Sequence, residues 1–395
     1  MDTTQATPEL EVWLRKVAGQ HYVWYIKVLA ANDTLATRAH QAGPYIPKRT
    51  AFQLFPSLTD GDDPNPRRTF EATVDSHRMP PRPVTVIWYN QKTRDEARFT
   101  GWGGSASPLL DPEATGSLCV FAFHKDPLGD ADSCRMWLCR NEPEEDLVVA
   151  TAGPVEPGLG RLHDPCSGVA DLHPPGPTEQ TAGWPDAWNT DFPSADELAR
   201  YAAVLASCPA GDIDRCLLLR RRKEYEVFGK LERLHVLPRI RKGFRSIDDF
   251  VSVAHSVTNR RKARSGRSLE VQTRLLLDEE KIRYAWNPSI EGHKRPDFLF
   301  PSVEDYENMR FPSDRLYVLA AKTTCRDRWR QILNEADRIP RKHLLTLQEG
   351  VSENQFREMS DAGVILVVPA DNHRAFPKAV RSDLLTLRSF FEIVR

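Results

Sequence analysis

Between residues 153 and 193 the chain can hardly sustain a regular element. Pro154, Pro157, Gly158, Gly160, Pro165, the run Pro174-Pro175-Gly176-Pro177, Gly183, Pro185 and Pro193 crowd into it. Proline removes an amide donor and glycine weakens helix and strand alike, so the stretch reads as a linker, partly ordered by Trp184 and Trp188. It divides a chain of 395 residues into two pieces, each large enough for its own core. The expected organisation is an N-terminal domain over 1–152, a linker over 153–193 and a C-terminal domain over 194–395. Ser194 followed by Glu197 has the spacing of a capping box, predicting a helix through Leu198, Ala202 and Leu205.

Before the linker, short apolar segments alternate with turns, at 22–29, 69–74, 84–89, 118–123 and 136–139. Their β-branched and aromatic residues predict a mainly β domain, closed or nearly closed into a barrel. Beyond the linker, Arg295-Pro296-Asp297 is followed by the apolar run 316–321, which ends in Lys322, and then by Asn334-Glu335-Ala336-Asp337. Trp329, Ile332, Leu333, Ala336 and Ile339 recur at helical spacing and predict a helix over 327–339. Glu335 falls on the margin of its buried face, able to point back to Lys322, while Asp337 lies on the opposite flank.

Two carboxylates and an amine are the residue types that metal-assisted cleavage of a phosphodiester needs. A divalent cation polarises the phosphoryl oxygen and acidifies water, and a lysine orients that water and offsets phosphate charge. Mg2+ keeps several waters, so the two carboxylates Asp297 and Glu335 suffice as protein ligands. The plainer alternative is a turn aspartate, a solvated lysine at a strand end and an ordinary helix glutamate. Glu270, in Ser268-Leu269-Glu270-Val271-Gln272 on a helix before the Asp297 strand, is either a support for the metal or an i,i+4 partner for Arg274. His293 is either a phosphate contact or loop structure.

A net charge of -1 carries no global signal of nucleic acid. Charge is segregated instead: Arg220-Arg221-Arg222-Lys223, Arg239-Ile240-Arg241-Lys242 and Arg260-Arg261-Lys262-Ala263-Arg264 are basic, and 142–146 is acidic. Such runs suit phosphate contacts or simply a solvated helix face. Seven cysteines without paired short spacing fit reduced thiols in a cytoplasm and argue against zinc. No basic-then-apolar signal opens the sequence and no apolar run approaches a membrane span, so a cytoplasmic protein without a membrane partner is expected.

Three long stretches, 294–302, 319–337 and 346–352, resemble the catalytic domain of the EcoRII-type restriction endonucleases. The likeness continues through 224–226, 234–237, 241–244 and 256–262, and near the start through 31–34, 40–43 and 45–47. The resemblance implies an N-terminal mainly β DNA-binding pseudobarrel plus a C-terminal α/β restriction-endonuclease-like domain with a variant PD-(D/E)XK core. Ala320 stands where the usual second carboxylate would be, and Glu335 is the migrated replacement. Asp297, Lys322, Glu335 and the supporting Glu270 would be catalytic. Arg326, Asp327 and Arg328 would read the CC:GG part of a target of the CCWGG or CCNGG type, with Arg330 as a phosphate or base contact. His40, Tyr45, Lys92, Arg94, Glu96 and Arg98 would bind effector DNA. The implied cofactor is Mg2+. Two strands to be cut at a nearly palindromic site predict a homodimer. The N-terminal domain would bind a second copy of the site and relieve blockage of the catalytic cleft. A catalytically silent DNA-binding regulator and a structure-specific repair nuclease remain as alternatives.

Overall fold

The computed structural model describes residues 6–19, 21–37, 43–61, 63–91, 95–127, 129–153, 155–163 and 183–395. The chain divides into two compact units, one comprising Met1–Pro174, Gln348–Arg357 and Arg374–Arg381, the other Pro175–Leu347, Glu358–His373 and Ser382–Arg395.

Among its described residues unit 1 has eight strands: β1 (Tyr22–Val28), β2 (Tyr45–Ile46), β3 (Arg67–Val74), β4 (Arg82–Tyr89), β5 (Glu96–Thr100), β6 (Leu118–Lys125), β7 (Ala131–Leu138) and β8 (Arg161–His163). They form one curled sheet in the order β2-β5-β4-β3-β7-β6-β1-β8. The β3–β7 pair is parallel and the other pairs are antiparallel. Among the described residues the ladder stays open, yet Lys27 Nζ on β1 donates to the carbonyl of Tyr45 on β2 at 3.0 Å, so a side chain spans the gap that the described strands leave. Alternation puts Phe70, Phe99, Phe121 and Phe123 on one face, where they pack with Phe55. The other face carries Trp24, Ile26, Val120 and Trp137, covered by α1 (Ala6–Lys16) through Leu10 and Trp13 and by α3 (Glu142–Ala152) through Val148; α2 (Lys48–Leu54) follows β2.

β8 lies inside the Pro/Gly-rich stretch. It pairs with β1, Tyr25 opposite Leu162, because β1 offers a free edge and Gly160 passes against the Tyr25 ring where a Cβ would collide.

Unit 2 opens with the capping box at Ser194 and Glu197 and α4 (Ala195–Leu205). Two long helices, α5 (Ile213–Lys242) and α6 (Ile247–Glu279), pack on α4. A five-stranded sheet follows in the order β13-β12-β11-β10-β9: β9 (Ala285–Trp286), β10 (Phe298–Phe300), β11 (Tyr317–Ala321), β12 (Lys342–Leu345) and β13 (Val364–Val367), with the short α7 (Val303–Glu307) after β10. β9, β10 and β11 run antiparallel to one another, whereas β11, β12 and β13 are parallel. Phe298, Phe300, Leu319, Leu345 and Val367 bury one side of this sheet against Leu217, Leu276 and Phe390. Asp214, buried near the start of α5, accepts the amides of Leu387 (2.8 Å), Arg388 (3.0 Å) and Ala370 (3.2 Å), tying the helix Leu387–Val394 to this core.

Two sequence expectations need correction. Arg220 and Arg221 do not form an exposed basic face: both are buried, and Arg220 makes a two-pronged bond to Glu279 at 2.8 and 2.9 Å. Arg264 is buried too, over the rings of Tyr225 and Phe228. Long arginine stems bury well where a carboxylate or a ring receives the head. The thiols are not all reduced either. Cys208 and Cys216 form a disulfide, Cα atoms 4.8 Å apart, because the turn between α4 and α5 folds the chain back on itself. Cys119, Cys134, Cys139 and Cys325 are buried. Among the described residues no helix is long and apolar enough to cross a membrane.

Candidate active site

The sheet of unit 2 presents the site at one end of its antiparallel centre. Asp297 directly precedes β10 and Lys322 directly follows β11, and antiparallel pairing (Phe298 opposite Leu319) brings a strand start beside a strand end. Asp297 Oδ2 accepts the Ala321 amide at 2.8 Å and Lys322 Nζ at 3.2 Å. The carboxylate is only 8% exposed, so its direction is fixed by a backbone donor as well as by the lysine. The Asn287 amide donates to the Asp297 carbonyl at 3.0 Å, and its side chain reaches Glu270 Oε2 at 3.5 Å.

Glu335 is half-buried beside this pair. Burial first, then the charge of Asp297, pushes its carboxyl up to about 7, with Lys322 and Lys342 pulling the other way. Glu270 is raised for the same two reasons, burial and then Asp297. Asp297, Glu270, Glu335 and Lys322 thus share one electrostatic neighbourhood. Arg274 does not pair with Glu270; it bonds Asp196 at 3.3 Å and stacks on Trp286.

The helix expected over 327–339 is not there. Only a 3-10 turn, Arg328–Ile332, forms, and Glu335 sits in the irregular turn after it. The apolar period is real, since Trp329, Ile332, Ala336 and Ile339 are all buried, but Ala336 adopts φ +50°, which ends helical continuation. The turn is held by partners the sequence does not advertise. Asp337 pairs with Lys294 at 2.6 Å and donates its amide to Glu291 Oε1 at 2.7 Å. Lys342 donates to the carbonyls of Glu335, Ala336 (2.7 Å) and Ile339 (2.6 Å). A lysine between Arg341 and His343 reads as one more surface cation. Only its place at the head of an otherwise apolar strand hints at burial.

Glu335 Oε2 is buried and, among the described residues, has no hydrogen-bond partner. An orphaned carboxylate oxygen, raised by a second carboxylate, is satisfied by a cation, and hard oxygen donors suit Mg2+. Among the described residues no three His, Cys, Asp or Glu side chains close into a metal cage.

The remaining predicted residues fall in two places. Asp327 lies between Arg326 (3.7 Å) and Arg330 (3.7 Å), and Arg330 also bonds Glu358 at 3.1 Å and covers the Trp329 ring. Arg328 opens the 3-10 turn, and His293 is exposed with φ +61° in a loop. In unit 1, Arg98 donates to the carbonyls of Asn32 (3.3 Å) and Gly43 (3.2 Å) and faces Glu96 at 3.6 Å. Tyr45 and Arg98 line a polar cavity of about 330 Å³ with Lys27, Asp33 and Glu349. His40, Lys92 and Arg94 lie outside the described residues.

A carboxylate and a lysine side by side across antiparallel strands, with further carboxylates close by, are residue types that phosphodiester cleavage can use. Family models agree: that of the EcoRII N-terminal domain matches residues 18–165 and that of the EcoRII C terminus matches 228–391. The type II restriction enzyme EcoRII of Escherichia coli is 44% identical over 387 residues, covering 96% of this chain and 95% of the relative. The chain belongs to the EcoRII family of type II restriction endonucleases, and it is a nuclease. Among solved structures, a complex of restriction endonuclease PspGI with substrate DNA aligns at TM-score 0.43 and 17% identity, over 52% of this chain and 93% of that one. Metal-depleted Ecl18kI with uncleaved, modified DNA aligns at 0.42 and 21%, over 52% and 80%.

Proposed function

We propose that the protein is a Mg2+-dependent endonuclease that cuts both strands of DNA at a CCWGG- or CCNGG-type site. The observation that carries this is the Lys322–Asp297 pair at 3.2 Å with the unpartnered Glu335 oxygen beside it. Asp297 and Glu335 would hold the metal, with Glu270 in support. Bound Mg2+ supplies a Lewis acid for the phosphoryl oxygen and an acidified water. Lys322 orients the attacking water and offsets charge on the phosphate. The water oxygen bonds phosphorus in line as the bond to O3′ breaks; the 3′ oxygen takes up a proton, leaving 5′-phosphate and 3′-hydroxyl ends.

Arg326, Asp327, Arg328 and Arg330 are assigned to base reading beside the scissile phosphate: guanidinium groups suit guanine, and Asp327 can accept from a cytosine amino group. Tyr45, Glu96 and Arg98, with His40, Lys92 and Arg94, are assigned to effector DNA. In unit 1 Arg98 is engaged by backbone carbonyls and Glu96, so base contact requires it to exchange partners. The enzyme would work as a cytoplasmic homodimer, with residues 1–152 restraining the nuclease until effector DNA binds. The domain limits 1–152, 153–193 and 194–395 belong to the same proposal.

Incubation of the purified protein with a phage genome and Mg2+ tests the core of this. Discrete bands whose sequenced ends share one motif are expected. No cutting returns the silent regulator, and cutting confined to branched or damaged DNA returns the repair nuclease. Deleting residues before Ser194 should raise activity on a one-site plasmid; unchanged or lower activity removes autoinhibition.

A further inference from the structure

We propose that Lys342 is a positioning residue for Glu335, an inference that rests on the assignment of Glu335 as a metal ligand. Lys342 opens β12 and is 3% exposed. Buried ammonium groups ordinarily meet a carboxylate, yet this one donates to three backbone carbonyls of one turn, those of Glu335, Ala336 and Ile339. Three donors radiating from a single nitrogen match three converging acceptors, a geometry the planar fork of arginine does not reproduce.

That turn needs an external brace. The 3-10 turn before it ends at Ile332, and Ala336 holds φ +50°, a conformation that persists in a residue with a Cβ only where its surroundings impose it. Within the turn the backbone contributes Glu335 N to Ile332 O at 3.1 Å and Ile339 N to Ala336 O at 2.9 Å. Glu291 and Lys294 grip Asp337, whose side chain is exposed. Lys342 grips from inside. Because Glu335 Oε2 has no hydrogen-bond partner among the described residues, where that carboxylate points depends on where its backbone is held. Lys342 therefore sets the ligand and touches no reacting atom.

The test uses the full chain and two measurements: amide hydrogen exchange without metal, and the Mg2+ midpoint for cutting a phage genome. In Lys342→Met, exchange over residues 335–339 should rise at least tenfold while β10, β11 and β13 stay protected. The Mg2+ midpoint should rise at least fivefold, with most of the rate recovered at high Mg2+. Unchanged exchange in that segment, or a lost rate with the midpoint within twofold of the parent, overturns the proposal. If Lys342→Met loses sheet protection, Lys342→Arg takes its place. Its fork reaches fewer of the carbonyls, so a raised midpoint supports the brace and an unchanged one overturns it. Glu335→Gln separates the two levels: a parental Mg2+ midpoint in that variant removes Glu335 from the metal site whatever Lys342 does.

Discussion

Lys322 Nζ lies 3.2 Å from Asp297 Oδ2, and the same oxygen takes the Ala321 amide at 2.8 Å. The lysine is therefore held in place, and the carboxylate has a backbone donor besides it. Lys322→Ala should cost at least about a thousandfold in cleavage while site-specific binding changes less than about tenfold. Gel-shift and single-turnover assays on one duplex check both. Nicking that survives in Mg2+ removes Lys322 from the chemistry.

Glu335→Gln should separate activity from stability. The folded carboxyl titrates at about 7 against an ordinary 4.5, so between these values the folded state binds the extra proton. Stability of the metal-free protein then falls as pH rises through that window. At pH 8 the Gln variant should unfold later than the parent, by on the order of 1 kcal/mol after screening. Near pH 4 the two should coincide. Denaturant melts in EDTA decide; a less stable variant at pH 8 contradicts the account.

His343 has the opposite sign. Burial is the main cause that takes it down to about 4, between the rings of Tyr317 (5.9 Å) and Phe390 (4.9 Å). The unfolded chain binds its proton below the ordinary 6.5, so this contribution is full above that value and is lost as pH falls toward 4. Replacing it with Phe should flatten the acid limb by roughly 2 kcal/mol. Melts at pH 7 and pH 4.5 on parent and variant measure the difference, and parallel curves would count against it.

Asp327→Ala should relax specificity rather than abolish cutting. It removes an acceptor set between Arg326 and Arg330, and a base contact of this kind is worth about 1–3 kcal/mol. The ratio of rates on the cognate site and on single-base variants should fall by about tenfold or more at one position. An unchanged ratio at every position assigns Asp327 to holding arginines only.

The Cys208–Cys216 bridge closes a short loop, eight residues apart in sequence. Chain-entropy reasoning gives it about 2.5 kcal/mol. Reductant, or Cys208→Ser, should lower the melting temperature by a few degrees without altering cleavage at 25 °C. Thiol titration of the unfolded protein, with and without reductant, shows whether two sulfurs are hidden.

What the sequence discloses here is whatever depends on local pattern. Ser194 and Glu197 specify the start of α4, and the apolar run before Lys322 specifies β11, so Asp297 and Lys322 meet as soon as β10 and β11 pair. Glu335 was legible as a residue but not as a conformation. Its apolar neighbours recur at helical spacing, whereas Ala336 turns left-handed and the contacts come from Glu291 and Lys294, before β10, and from Lys342, at the head of β12. Arg220 misled for the same reason: a partner 59 positions away, Glu279, turns an apparent surface cation inward. Cys208 and Cys216 show no familiar spacing, and only the returning turn makes them neighbours.

Among the described residues the curled sheet of unit 1 finishes at both margins in stubs, β2 with two residues and β8 with three. A ribbon that peters out offers a neighbouring molecule too few amides in line to zip onto. Concentrated solutions of this protein should therefore resist fibrous stacking through the described edges of that layer.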